Sequence, residues 1–362
     1  MIVMGMTSRL EGHGVRLGAV GLLTLATLVG TGAAHAGAAT RALPAGCSGT
    51  APIKCHYAVS PGNYDVTVSI GGGATAAETD MWVEARRLML PATKTAAGAA
   101  ATYSFTVNVR QPEGQPTGQG GTGNAGLDIR FAGTNPQVSA VSVKPATQPL
   151  VAYLAGDSTV CDQPAAPYTG WGQMITPAVG PGASIANYAD SGESSGSFLR
   201  NSALFPALLP KVKANDAVFI QFGHNDKQTS ASAFRSNLTS MITQVRAKGG
   251  VPVLVTPPVR RQFNGSRLTP TALHVNGLGV NLPAEMRSVG TAQNVPVIDL
   301  TTKSKTLVES LGPSASAQLF LRSSVDGVTD NTHFSQYGAT QIGALVLRSI
   351  REQRLPLAAY LR

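Results

Sequence analysis

Five short, continuous apolar runs in the second half of the chain restrict its fold more than any other feature. They are Val151 to Ala155, Ile185 to Ala189, Ala217 to Phe222, Val251 to Thr256 and Val295 to Leu300. Each is too short for an ordinary helix and lacks the alternation of a strand with one wet face. Each therefore reads as a strand buried on both sides, the habit of parallel sheets. Helical stretches lie between them, the clearest carrying Phe234, Leu238, Met241 and Val245 at helical spacing and ending at Gly249-Gly250. Strands alternating with helices imply a three-layer α/β/α sandwich around a parallel five-stranded sheet. Such sheets bind ligands beyond the carboxyl ends of their strands, which directs attention to the residues after each run.

Residues 41–145 are written differently. Tyr64, Val66, Val68 and Ile70, then Tyr103, Phe105, Val107 and Val109, then Leu127, Ile129 and Phe131 alternate with period two. Separated by Gly and Pro clusters, they read as half-buried strands of an all-β sandwich or jelly roll. Gly118-Gln119-Gly120-Gly121-Thr122-Gly123 matches the dinucleotide fingerprint in form, but it precedes a strand pattern instead of opening a helix, so it reads as a loop. Lys144 to Pro149 reads as a linker, after which a second domain is expected over 150–362.

Residues 1–36 read as a secretory signal: Arg9 and Arg16 flank an apolar run from Leu17 to Val29, and Ala34-His35-Ala36 resembles a cleavage site. The run is shorter than a membrane span of about 20 residues, so the expectation is a secreted, extracellular protein with no membrane association once the signal is removed. Loss of the signal would leave a formal charge of +8, against +9 for the whole chain. That favours an acidic partner. Nucleic acid is not expected, because the basic residues are scattered and only 6% of residues are aromatic; an acidic polysaccharide suits the charge equally well. Of three cysteines, Cys47 and Cys55 are the better candidates for a disulfide, with Cys161 left over. No metal-binding spacing of His, Cys or Asp is visible, and neither a metal nor an organic cofactor is expected. Nothing in the sequence indicates the oligomeric state.

The chemistry-bearing residues follow the strand runs. Gly156-Asp157-Ser158-Thr159 comes after the first, Asp190-Ser191-Gly192 after the second and Gly223-His224-Asn225-Asp226 after the third, while Asp330-Asn331-Thr332-His333 precedes a C-terminal amphipathic segment. A serine hydroxyl becomes a useful nucleophile when an imidazole takes its proton, and the imidazole needs a carboxylate to fix its tautomer. Asp330 and His333, with two residues between them, can supply both to Ser158. The backbone N–H groups of Ser158 and Gly192 and the amide of Asn225 are placed to form an oxyanion hole.

Together these blocks resemble the SGNH (GDSL) hydrolases. Tyr153-Leu154-Ala155-Gly156-Asp157-Ser158-Thr159, Gly170-Trp171-Gly172, Gly192, Phe222 to Asp226 and Asp330-x-x-His333 stand in the order of that superfamily's motifs, so its characteristic positions fall on Ser158, Gly192, Asn225 and His333. The G-D-S-T form, the G-H-N-D block and Thr256-Pro257-Pro258 followed by Arg260-Arg261 are most similar to rhamnogalacturonan acetylesterases. The resemblance covers roughly residues 150–362. It implies an SGNH, flavodoxin-like catalytic domain and serine ester hydrolysis that removes acetyl groups from acidic pectic polysaccharide without a cofactor. One departure stands out: the segment after the second strand, Arg-rich in such enzymes, is here Gly192-Glu193-Ser194-Ser195-Gly196-Ser197, and the acidic Glu193 weighs against a polyanionic substrate.

The same segment matches the nucleophile-elbow pattern G-x-S-x-G with Ser194 as the serine, a reading that leaves the other blocks unexplained. Asp157 is expected to stabilise the turn around Ser158 and is a candidate for touching substrate, and His224 is expected to shape its loop or touch substrate. Tyr168 and Trp171 are candidates either for stacking on sugar rings or for the core. Arg260 and Arg261 are candidates for binding uronate carboxylates. Other substrates in view are acetylated xylan and other acyl esters, and the reading from another class is a polysaccharide-binding protein without activity.

Overall fold

The computed structural model describes residues 42–117 and 123–362. The signal expected over 1–36 and most of the Gly118–Gly123 run lie outside the described residues. Between Cys47 and Pro145 the period-two alternation forms eight strands: β1 (Cys47–Ser48), β2 (Ile53–Tyr57), β3 (Gly62–Gly71), β4 (Ala77–Val83), β5 (Arg87–Thr95), β6 (Ala100–Val109), β7 (Leu127–Ala132) and β8 (Val138–Pro145). They make two antiparallel sheets, ordered β1-β2-β7-β4-β5 and β6-β3-β8. The apolar positions of both sheets meet in one core, where Val66, Val68, Phe105 and Val107 face Met81, Ile129 and Phe131. A Cys47–Cys55 disulfide ties β1 to β2, while Cys161 is buried and free.

The five apolar runs form one parallel sheet. Its strands are β9 (Leu150–Ala155), β10 (Ala183–Asn187), β11 (Ala217–Ile220), β12 (Val251–Val255) and β13 (Val297–Ile298), in the order β10-β9-β11-β12-β13. Every residue of β10 and β11 is buried, which explains why these segments are largely apolar; the buried polar side chains of β10, Ser184 and Asn187, are hydrogen-bonded. Helices Ala231–Ala247 and Leu282–Gln293 cover the face carrying Tyr153, Val218 and Leu254. Helices Leu300–Ala315 and Gln336–Glu352 cover the face carrying Leu154, Phe219 and Val255.

β10 is an edge strand, and a bare edge presents unpaired main-chain groups. Here the antiparallel region covers it. Arg87, at the start of β5, donates from Nη1 to Ile185 O at 3.1 Å; Arg110, just after β6, donates to Asn187 O. Ile185 and Asn187 are two residues apart, so their carbonyls project from the same side of the strand. At the strand's other end Gly182 N donates to Thr106 Oγ1 at 2.9 Å and Ser184 Oγ to Asn63 Oδ1 at 2.8 Å. Arg87 also lies 3.2 Å from Asp162 Oδ2, both side chains almost wholly buried.

Removing one partner from a buried ion pair leaves the other charge uncompensated, at a cost of about 3–5 kcal/mol. Arg87→Ala is therefore expected to lower the unfolding free energy by about that amount in urea titrations, whereas Lys144→Ala, exposed on β8, is expected to leave it within about 0.5 kcal/mol.

Candidate active site

The loops at the carboxyl ends of β9, β10 and β11 converge on Ser158. After β9 the chain turns at Gly156, where a Cβ would lie 2.7 Å from Val160 Cγ2, too close for any other residue without rearrangement. Asp157 then folds its carboxylate back on the turn, Oδ1 accepting from Thr159 N at 2.9 Å and from Thr159 Oγ1 at 2.7 Å. This local bonding fixes the turn that presents Ser158.

The C-terminal block reaches the same point. His333 Nε2 stands 2.9 Å from Ser158 Oγ, and His333 Nδ1 stands 2.7 Å from Asp330 Oδ2. The two-residue gap allows the other Asp330 oxygen to accept from the backbone N–H groups of Thr332 at 2.6 Å and His333 at 3.0 Å. Burial alone would raise the Asp330 pKa, but its bonds from the His333 ring and from these two N–H groups together hold it well below the usual carboxylate range. Tyr168 meets the His333 ring edge-on, with centroids 5.3 Å apart.

The oxyanion candidates come from the neighbouring loops. Gly192 has φ +83° and is exposed, a left-handed conformation that favours glycine. Asn225, partly exposed after β11, donates one amide hydrogen to Glu193 O at 3.1 Å, which leaves the second hydrogen available. Glu193 itself is 8% exposed, and burial raises its pKa. Its acidity is therefore not displayed as a free surface charge.

Several other candidate residues occupy positions with different consequences. Trp171 is a correction: it is 1% exposed and its indole N–H donates to Gln221 Oε1 at 2.8 Å, so it belongs to the core and has no face to offer a sugar. Asp157 and His224 are also buried, with Asp157 Oδ2 3.4 Å from His224 Nδ1. That removes both from direct contact with a polymer. Burial pushes the His224 pKa down, opposed by Asp157. For Asp157 burial acts upward, but His224 and the Thr159 hydrogen bonds outweigh it and the pKa lies below the ordinary value.

Arg260 and Arg261 serve the chain itself. Arg260 donates to His224 O at 2.8 Å and to Thr332 Oγ1; Arg261 donates from its backbone to Asn331 O and from Nη1 to Asn331 Oδ1, both at 2.7 Å. The pair braces the Asp330–Phe334 strand, a use different from the uronate binding for which it was a candidate. Ser194 caps the helix Ser195–Arg200 by accepting from Ser197 N at 3.1 Å, with an ordinary φ of −91°. It therefore lacks the strained turn of a nucleophile elbow. Cys161 is fully buried, which raises its thiol pKa well above normal. Two glutamines had no signal in the sequence: Gln163 Nε2 donates to Ser158 O at 3.2 Å, and Gln115 Oε1 accepts from Ser191 N at 2.8 Å.

Residues 154–340 match the model of the GDSL-like lipase/acylhydrolase family. The chain belongs to that family. Among its relatives is the rhamnogalacturonan acetylesterase RhgT of Bacillus subtilis, 38% identical over 59% of this chain and 95% of that protein. The uncharacterized esterase YxiM of the same organism is 27% identical over 81% of this chain and 72% of its own. The crystal structure of YxiM aligns with a TM-score of 0.52 at 23% identity, over 84% of this chain and 81% of that one, a likeness that bears on the fold. As a family member the chain is an SGNH hydrolase of the esterase kind, with the parallel α/β sheet that assignment requires.

The depressed Asp330 pKa has a testable sign. A carboxyl whose folded pKa is lowered stabilises the fold above its unfolded pKa, and that contribution disappears as the pH falls through the folded value. The stability difference between wild type and Asp330→Asn should therefore be full at neutral pH and shrink below about pH 4, measured by urea unfolding of both proteins at matched pH values.

Proposed function

We propose that this chain is a secreted carbohydrate esterase that removes acetyl groups from pectic rhamnogalacturonan by a Ser-His-Asp acetyl-enzyme mechanism. The observation that carries the chemistry is His333, bonded to Asp330 on one ring nitrogen and within 2.9 Å of Ser158 Oγ on the other. Asp330 holds Nδ1–H, so Nε2 accepts the Ser158 proton as Oγ attacks the acetyl carbonyl. The tetrahedral oxyanion is met by the N–H groups of Ser158 and Gly192 and the free amide hydrogen of Asn225. Collapse breaks the sugar–acyl bond, and the imidazolium returns its proton to the departing sugar oxygen. Water, deprotonated by the same histidine, then splits the acetyl-enzyme and restores Ser158 with release of acetate.

The substrate assignment rests on likeness. RhgT, matched over 95% of its length, is named a rhamnogalacturonan acetylesterase, and YesY of Bacillus subtilis, 31% identical over 94% of its length, is named a probable one. The basic charge suits an acidic polymer. Export is supported by the leader pattern and by the Cys47–Cys55 disulfide, since such bonds persist in oxidising compartments.

Acetate release from acetylated rhamnogalacturonan, acetylated xylan and longer acyl esters, measured for wild type, Ser158→Ala and Ser194→Ala, tests the reading. The expected result is preference for rhamnogalacturonan, loss of at least about 10³-fold in Ser158→Ala, and little change in Ser194→Ala. Preference for xylan or long acyl chains would overturn the substrate assignment. Loss confined to Ser194→Ala would overturn the mechanism, and retention on pectin with no acetate released would mark a binding protein.

A further inference from the structure

The segment that leaves β6 runs from the covered edge of β10 to the loop bearing Gly192. Arg110 bonds to Asn187 O, the last residue of β10. Five residues on, Gln115 is wholly buried. Its Oε1 accepts from Ser191 N at 2.8 Å, and its Nε2 donates to Gln163 Oε1 at 3.0 Å. Gln163 in turn donates from Nε2 to Ser158 O at 3.2 Å and to Ser191 Oγ at 3.3 Å. Thr117 completes the clasp, its N–H and hydroxyl donating to the two oxygens of Asp190 at 3.0 Å and 2.8 Å.

The geometry points to Gln115 as a positioning residue for the oxyanion hole, supplied to the α/β layer by the antiparallel region of the same chain. This inference rests on the role assigned above to Ser158 and Gly192. Gly192 follows Ser191 directly, and its left-handed conformation leaves its peptide N–H free of any helix or strand that would aim it. The peptide immediately before it is instead fixed through Ser191 N, and the carboxylate one residue earlier through Thr117. Gln115 reaches both sides of the hole at once, because the Gln163 amide that it orients also holds the carbonyl of Ser158. An oxyanion donor stabilises the transition state only if it already points at the developing charge, and a displacement of about 1 Å in such a group can slow the reaction about 100-fold. The bonds of the clasp go to Ser158, Asp190 and Ser191 and not to His333 or Asp330, so its first effect is on the main chain that carries the oxyanion donors.

The test uses the full chain and a soluble aryl acetate. Gln115→Met keeps the length of the side chain and removes both bonds; Thr117→Val removes only the hydroxyl clasp on Asp190 and decides the matter if Gln115→Met does not fold. Thr106→Val is the control, since Thr106 makes a comparable bond to Gly182 at the opposite end of β10. The expected result is a kcat lower by about 10- to 100-fold in Gln115→Met, a smaller loss in Thr117→Val, and KM within about twofold. Thr106→Val should lose a similar amount of thermal stability at unchanged kcat. Wild-type kcat in Gln115→Met, or in Thr117→Val where Gln115→Met does not fold, or an equal kcat loss in Thr106→Val, would overturn the inference. Ser158→Ala, run alongside, separates the two levels: full activity there sinks the assignment of Ser158 and this inference with it, whereas an inactive Ser158→Ala beside a fully active Gln115→Met sinks this inference alone.

Discussion

An open parallel sheet has to dispose of the outer edge of its last strand, and in this protein the solution organises everything around it. The carbonyls of Ile185 and Asn187 on β10 are met by the guanidinium groups of Arg87 and Arg110. Both arginines come from the antiparallel strands and are nearly inaccessible to water. Burying two cations is costly unless each is hydrogen-bonded and faces an opposite charge. Asp162 supplies that charge in the loop that follows Ser158, and its own burial raises its pKa while Arg87 and Arg110 lower it. The strand edge, the cations and the loop after Ser158 are thus parts of one buried assembly.

A consequence is that the antiparallel region cannot be a passive neighbour. Gln173 Nε2, in the short helix after the Ser158 loop, donates to the carbonyls of Ala85 and Arg86 at the tip of the β4–β5 hairpin. Arg86 donates back to the carbonyls of Gln163 and Tyr168, and Tyr168 packs on His333. Glu84 and Arg86 hold positive φ angles at this tip, an arrangement that costs a non-glycine residue about 1–2 kcal/mol and persists where surrounding bonds over-determine it. The hairpin therefore reaches both the serine and the histidine sides of the site through loops it grips by their main chain.

How much of this the sequence disclosed follows from the range of each interaction. The sheet was legible because strands buried on both faces are predominantly apolar, and the five runs coincide with β9 to β13 to within a few residues. Asp330 and His333 were legible because their pairing is local, three positions apart in the chain. Ser158, Gly192 and Asn225 could be found because each follows a strand whose end falls at one edge of the sheet. Trp171 was not legible: an indole can face a sugar or the core equally well, and only the fold supplies Gln221 as its partner. Arg260 and Arg261 carried the charge of a substrate-binding pair, but their bonds to the Asp330–Phe334 strand join residues about 70 positions apart. Gln115 left no trace, since an amide in a Gly- and Pro-rich stretch reads as solvated loop until the edge of β10 is seen beneath it.

The exposure of Ser158, His333 and Asp330 bears on the reaction proposed for them. The side chains of His333 and Asp330 keep about a quarter of their surface in solvent, while Ser158 is only 7% exposed. The removal of acetyl groups from a polymer proposed above needs an open approach and room for one methyl. Openness has a cost, because water weakens every electrostatic contact in the site. Donors that are fixed before the substrate arrives limit that cost, since they need no reorganisation as charge develops. The frame beneath the site supplies that rigidity: buried Asp157 with Thr159 under the serine and Gln163 on its carbonyl, with half-buried Arg260 and Arg261 against residues 331 and 332. A surface site of this kind is as good as the shell that holds it, and behind Ser158 that shell is a set of buried polar side chains, Gln115, Asp157, Thr159, Asp162 and Gln163, each hydrogen-bonded to another residue of the chain.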